Sequence, residues 1–194
     1  MTKNIFFEYN LPKISTFIVV YKKISVTLRC EKQTPFSWGV QNLACTLIIF
    51  YMAVTFFSEG IEMPSIHKRE VSAWIRQVAQ LHGMRLGEVC YKFVDDEGIL
   101  ECNRQFLHHD YYTDIITFDY TEGNKISGDI VISLDTVRSN AEQFEQPYER
   151  ELHRVIIHGI LHLCGINDKG PGEREVMEQN ENEALALINF DIKG

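Results

Sequence analysis

Apolar residues recur at two periods along this chain, and the switches between them lay out its elements. In SIHKREVSAWIRQVAQLHG, Val71, Trp74, Ile75, Val78 and Leu81 fall at three-and-four spacing, which predicts a core-facing helix capped by Ser65 and stopped at Gly83. GEVCYKFVDDEG then alternates apolar and polar positions between glycines, as a half-buried strand does, and ILECNRQFLHH resumes helical spacing at Ile99, Leu100, Cys102, Phe106 and Leu107. TDIITFDY and SGDIVISL read as two strands joined by the turn-forming TEGNK, a predicted hairpin. Asp135 is placed to cap a short helix, TVRSNAEQF. Pro147 opens a longer one, YERELHRVIIHGILHL, which Gly165 ends, and a last helix from 173 to 187 carries Val176, Met177, Ala184, Leu185 and Leu187. Helices and strands without strict alternation predict an α+β fold, a small mixed sheet covered by helices.

The pattern is different upstream. Leu43 to Phe57 is an uncharged, mostly apolar run, shorter than the ~20 residues that span a bilayer as a helix. Its C-terminal part, AVTFFSEG, also reads as a first strand closing in a turn. Charge marks the same seam: residues 1–51 carry six Lys/Arg and two acids, leaving 13 basic and 25 acidic residues beyond, a formal −12. The expected organisation is an N-terminal extension over 1–51 and a single domain over 52–194. Three readings of the extension stay open: a mis-placed start or disordered tail, a membrane anchor, and extra structure.

The whole chain has a formal charge of −8, which argues against broad attraction to nucleic acid. Any RNA must be held by a local patch or a metal. Five scattered cysteines form no CxxC pair, so neither a disulfide framework nor a cysteine zinc site is signalled, and a reducing compartment, the cytoplasm, is expected. No stable membrane partner is expected.

The chemistry concentrates at the end of the longest helix. His158 and His162 lie four residues apart, about 40° and one turn from each other, so both imidazoles can reach one ion. Gly165 reverses the chain and brings Asp168 back towards them, supplying a third ligand. Zinc accepts histidine nitrogen and carboxylate oxygen, and three protein ligands leave one position for water, as in catalytic sites. Spacing alone leaves open two satisfied core histidines. The residue after His158 is Gly159, so the general-base Glu of the HExxH metalloprotease motif is missing and peptidase chemistry is disfavoured.

The run HGILHLCGIND resembles the signature of the YbeY family of metal-dependent endoribonucleases, roughly HGxLHLxGYDH. Asn103, Asp110, Thr113, Asp114, Ile116, Phe118 and Gly128-Asp129-Ile130 are similar to the family's upstream pattern, so the resemblance covers about Met52 to Leu187. It implies a fold akin to zinc-peptidase catalytic domains, with the metal on a central helix. The implied activity is a single-strand-specific, zinc-dependent endoribonuclease that trims ribosomal RNA precursors at the 3′ end of small-subunit RNA, with one Zn2+ held by His158, His162 and Asp168. Implied partners are single-stranded precursor rRNA and the small ribosomal subunit, and the implied role extends to ribosome quality control.

Asn103, His109, Thr113, Asp114 and Arg138 are the candidate substrate contacts. Two departures stand out: Asp168 replaces a histidine ligand, and Leu107 stands where the family pattern has an Arg suited to clamping phosphate. That clamp could pass to His108, His109, Arg104 or Arg138. Structural roles remain open for Thr113 and Asp114 as turn caps, for Ile116 and Phe118 as core, for His108 and His109 as a solvated helix end, and for Glu151 and Arg154 as a solvent-exposed ion pair. Two rival functions remain: a ribosome-assembly binding factor with a structural metal, and a metal hydrolase acting on peptides or other small substrates.

Overall fold

The computed structural model describes residues 5–7, 53–108 and 110–190. Along the chain run β1 (Ile5–Phe7), β2 (Val54–Ser58), α1 (Lys68–Leu81), β3 (Arg85–Val94), α2 (Asp96–Cys102) extended by a π turn (Asn103–Leu107), β4 (Ile115–Asp119), β5 (Lys125–Ser133), α3 (Leu134–Gln143), α4 (Tyr148–Leu163) and α5 (Glu173–Ala186). The strands form one mixed sheet in the order β1-β4-β5-β3-β2. β4 and β5 pair antiparallel, the predicted hairpin, while β3 is parallel to both β2 and β5. The fold is α+β, as expected. Ile5–Phe7 aligns with Ile116–Phe118 as a parallel partner. The rest of 1–51, and with it most of the apolar run, lies outside the described residues, but Val54–Phe57 of that run belongs to β2. No helix among the described residues is long and apolar enough to cross a membrane.

Burial explains why β3 departs from the half-buried expectation. Lying between two parallel neighbours with both faces covered, it is buried from Val89 to Val94 except at Lys92. Tyr91 and Phe93 join Ile130 and Ile132 of β5 in a core with Val71, Trp74, Ile75 and Val78 of α1 and Leu152, Val155, Ile156 and Ile160 of α4. Alternation sends Ile116, Phe118 and Val131 to the other face, where they are buried along with Ile99, Leu100 and Cys102 of α2. Ile116 and Phe118 are thus interior residues, with Phe106 set edge-on to Phe118.

Two caps and two apolar positions also differ from expectation. α1 begins at Lys68 behind His67, past Ser65, because the first helical bond runs from the Val71 N–H to the His67 carbonyl. Ser133 rather than Asp135 caps α3: the extended end of β5 lets the Ser133 Oγ accept from the Thr136 N–H, while Asp135 lies in the first turn and accepts from the Asp96 N–H. Val176 is exposed, since α5 turns Met177, Ala184 and Leu185 inward instead, and Leu81, the last residue of α1, is 67% exposed, the buried face ending at Val78 and Ala79.

Close approach fixes the glycine at 128. A Cβ there would lie 2.6 Å from the Phe118 carbonyl oxygen and about 3 Å from the Leu163 methyls, and a paired strand cannot yield. Gly128→Ala should therefore lower stability by about 1–3 kcal/mol, read as a fall in the urea midpoint at unchanged slope.

His153 is 1% exposed between Trp74 and Phe190, with Nδ1 on the Glu149 carbonyl, and burial lowers its pKa below 6.5. The unfolded chain therefore binds the proton at higher pH than the folded one. The stabilisation is complete above about pH 6.5 and declines as pH falls towards the lower folded value. His153→Phe should make the loss of stability between pH 6.5 and 5 shallower in denaturant titrations. An unchanged slope would show that His153 carries none of it.

Candidate metal centre

The two histidines of the site stand on α4. Its apolar stripe presses it onto the sheet, and the buried Tyr91 hydroxyl donates to the Ile156 carbonyl at 2.9 Å, tying helix to β3. Gly159 permits close approach, because a Cβ there would meet Ile130 Cδ1 at 2.9 Å and Ile115 Cδ1 at 3.1 Å. The residue that removes the peptidase base therefore also seats the ligand helix.

Gly165 ends α4 with φ 89°, its N–H on the His162 carbonyl and the Ile166 N–H on the Leu161 carbonyl, the paired bonds of a Schellman turn. The same turn aims the Ile166 carbonyl at His162, whose Nδ1 lies 2.8 Å away. His158 Nδ1 is 2.5 Å from Glu181 Oε1 of α5. With both Nδ1 atoms engaged outward, the two rings stand at right angles, centroids 4.4 Å apart, and turn Nε2 towards Asp168. Asp168 Oδ2 is 3.8 Å from His158 Nε2, and Oδ1 is 3.8 Å from His162 Nε2. One nitrogen of each histidine and one Asp168 oxygen lie within 4.8 Å of one another, so the structure brings the three candidate residues together.

These residues fit zinc. A separation of 3.8 Å is too long for a hydrogen bond but suits two atoms sharing one ion with bonds of about 2.0–2.2 Å. Burial, joined by the His158 charge, brings the His162 pKa down to about 4, so the ring is neutral at physiological pH, as a ligand must be.

An ionic layer lies behind the three candidate ligands. Arg154 grips Glu151 through Nε at 2.8 Å and Nη2 at 2.7 Å, and reaches Glu181 through Nη1 at 3.1 Å and Asp114 through Nη2 at 3.9 Å. Glu151 is 2% and Glu181 4% exposed and the Arg154 side chain 27%, so the Glu151–Arg154 pair expected in solvent is instead largely covered, because α4 packs against α3 and α5. Burial would raise the Glu181 pKa, but the His158 hydrogen bond and the Arg154 charge outweigh it and lower it. Asp114 moves the other way: burial raises it, only partly offset by His158 and Arg154.

Sequence reasoning missed Glu181. The signal was present, since Met177, Glu181, Ala184 and Leu185 share one helical face and a carboxylate on an apolar stripe needs a partner.

The remaining candidates divide. Asn103 is wholly buried, donating through Nδ2 to the Tyr111 carbonyl and to Thr113 Oγ1, so Asn103 and Thr113 hold the loop before β4 together. Asp114 belongs to the ionic layer behind His158. Arg138 pairs with Asp135 at 3.4 Å and lies over the Tyr148 ring, at the opening turn of α4, ten residues and so ~15 Å before His158. His109 lies outside the described residues, and His108 is an exposed left-handed cap at φ 55°. Arg104 is engaged with Asp110 at 2.6 Å, and Leu107 is buried, so no guanidinium stands at that position. Burial pushes the Cys164 thiol up to about 12, which makes it a packing residue and not a nucleophile.

A family model described as Endoribonuclease YbeY matches residues 57–189. Proteins named Endoribonuclease YbeY from Phocaeicola vulgatus and Bacteroides thetaiotaomicron are 70% and 68% identical over 137 and 136 residues, covering 71% and 70% of this chain and 99% of each relative. One from Porphyromonas gingivalis is 53% identical over 139 residues, 72% of this chain and 92% of that protein. The solution structure of a Thermotoga maritima protein is 26% identical with a TM-score of 0.47, covering 69% of this chain and 89% of that one.

Proposed function

This chain belongs to the Endoribonuclease YbeY family, and on that premise we propose that it is a zinc-dependent endoribonuclease of unpaired RNA, acting in the cytoplasm on small-subunit rRNA precursors near their 3′ end and in ribosome quality control. One observation carries the reading: two Nε2 atoms and one carboxylate face a common point, with the far side of each ring held by Glu181 or Ile166. His158, His162 and Asp168 would hold the ion and leave a position for water or a phosphate oxygen. The ion, when bound, supplies Lewis acidity for phosphodiester hydrolysis.

The chain's own residues do the positioning. Glu181 and the Ile166 carbonyl orient the two rings, and Gly159 leaves no carboxylate next to His158 that would act on a peptide. Asp168 brings a negative charge where the family pattern has a neutral imidazole, which makes the centre a weaker acid. With 25 acidic against 13 basic residues beyond position 51, few phosphates can be neutralised, so the salt dependence of RNA binding should be shallow.

Buried Leu107 and this acidity also favour a second reading, a ribosome-assembly factor with a structural metal and little cleavage. Incubating the full chain with small-subunit precursor RNA, alone and annealed to a complementary oligonucleotide, separates the two. The nuclease produces new 3′ ends in the unpaired region only, whereas co-sedimentation with small subunits and intact ends would establish the assembly factor.

A further inference from the structure

Arg154 already has a complete two-point partner in Glu151, with N···O distances of 2.7 and 2.8 Å, so it does not need a second carboxylate. Yet α5 places Glu181 in the middle of its buried stripe, between Met177 and Ala184, where an apolar residue would pack without cost. Arg154 Nη1 reaches both of its oxygens, at 3.1 and 3.2 Å, which fixes the carboxylate plane, and Oε1 is also the atom facing His158 Nδ1. A carboxylate already accepting from a guanidinium acts as an acceptor, so the His158 proton belongs on Nδ1. His162 is served differently, by the neutral Ile166 carbonyl. The two ligand rings thus have unequal supports.

We propose that Glu181 is a positioning residue of the metal centre: held by Arg154, it keeps His158 in the Nδ1–H tautomer and points its Nε2 lone pair at the space shared with His162 and Asp168. This rests on the zinc reading of the site, but it concerns a residue on the next helix, 23 residues beyond His158, and its effect is on affinity before it is on turnover. A carboxylate also raises the donor strength of the imidazole more than a carbonyl does, so His158 is the firmer of the two nitrogen ligands.

Two measurements on the full chain test this. Zinc affinity, read by competition with a chromophoric chelator, should fall 10–100-fold in Glu181→Gln and further in Glu181→Ala, while far-UV circular dichroism stays that of the wild type. Equal affinity in a folded variant overturns the proposal. In the metal-free wild type, nitrogen-15 NMR of the histidine rings should find His158 as the Nδ1–H tautomer, with an Nε2–H population appearing in Glu181→Gln, where the amide can donate to Nδ1. A wild-type His158 carrying its proton on Nε2 overturns the proposal even if neither variant folds. Should the wild type hold no zinc, the reading of the site fails, and the tautomer still decides the role of Glu181.

Discussion

His158→Ala and His162→Ala are each expected to leave a folded chain that has lost its zinc and at least about a hundredfold of its RNA cleavage. Fold survives because α4 is anchored by Leu152, Val155, Ile156 and Ile160 and by the Tyr91–Ile156 hydrogen bond, none of which involves a ligand. Metal loss follows because two donors cannot close a three-ligand site, and loss of an orienting group alone costs 10–100-fold in affinity. Elemental analysis of protein purified without chelators should give about one zinc per chain for the wild type and under a tenth of that for either variant. Of the two, His158→Ala has the further effect of stranding Glu181, whose carboxylate then keeps only Arg154. It should therefore also melt lower than His162→Ala.

Gly159→Glu, which would recreate the HExxH spelling, is expected to destabilise the chain by more than about 3 kcal/mol and to create no peptidase. Helix propensity favours the change by about 0.5–1 kcal/mol. Packing opposes it more strongly: the added Cβ meets Ile130 and Ile115, both essentially unexposed, and the carboxylate would lie between helix and sheet with nothing to accept from. Overpacking costs about 1–3 kcal/mol and an unpaired buried polar group several more. Urea unfolding measures the loss, and Gly159→Ala separates the terms, since it keeps the clash without the charge and should cost about 1 kcal/mol net. Wild-type stability in Gly159→Glu would mean that α4 does not rest on β4 and β5 as described.

Local signals made the ligand helix legible. Pro147 and Gly165 bracket α4 as their backbone preferences dictate, and four-residue spacing brings His158 and His162 together whatever surrounds them. Partners distant in sequence were not legible. β3 looked half-buried because its alternation cannot reveal that β2 and β5 flank it and that helices cover both faces. Glu151 and Arg154, three apart on one helix, carry the spacing of an ordinary surface pair, and only α5, bringing Glu181 from 27 residues away, turns them into a largely buried network. Asp168 was reached through the turn at Gly165, a local feature, whereas the Asn103–Thr113 bond that makes two candidate contacts into loop struts depends on how the π turn folds back. Leu107 stood out in the sequence as a missing arginine, and its burial accounts for the apolar choice.

On the proposed reading, His158, His162 and Asp168 hold a metal with which this chain cuts unpaired RNA. The most direct test is cleavage of one RNA oligonucleotide, single-stranded and as a perfect duplex, by the full chain as purified, after chelation, and after zinc is restored. The expected result is cutting of the single strand alone, its loss on chelation, its return with zinc, and no return in His158→Ala. Cleavage that persists through chelation, or that is the same in His158→Ala, would contradict it.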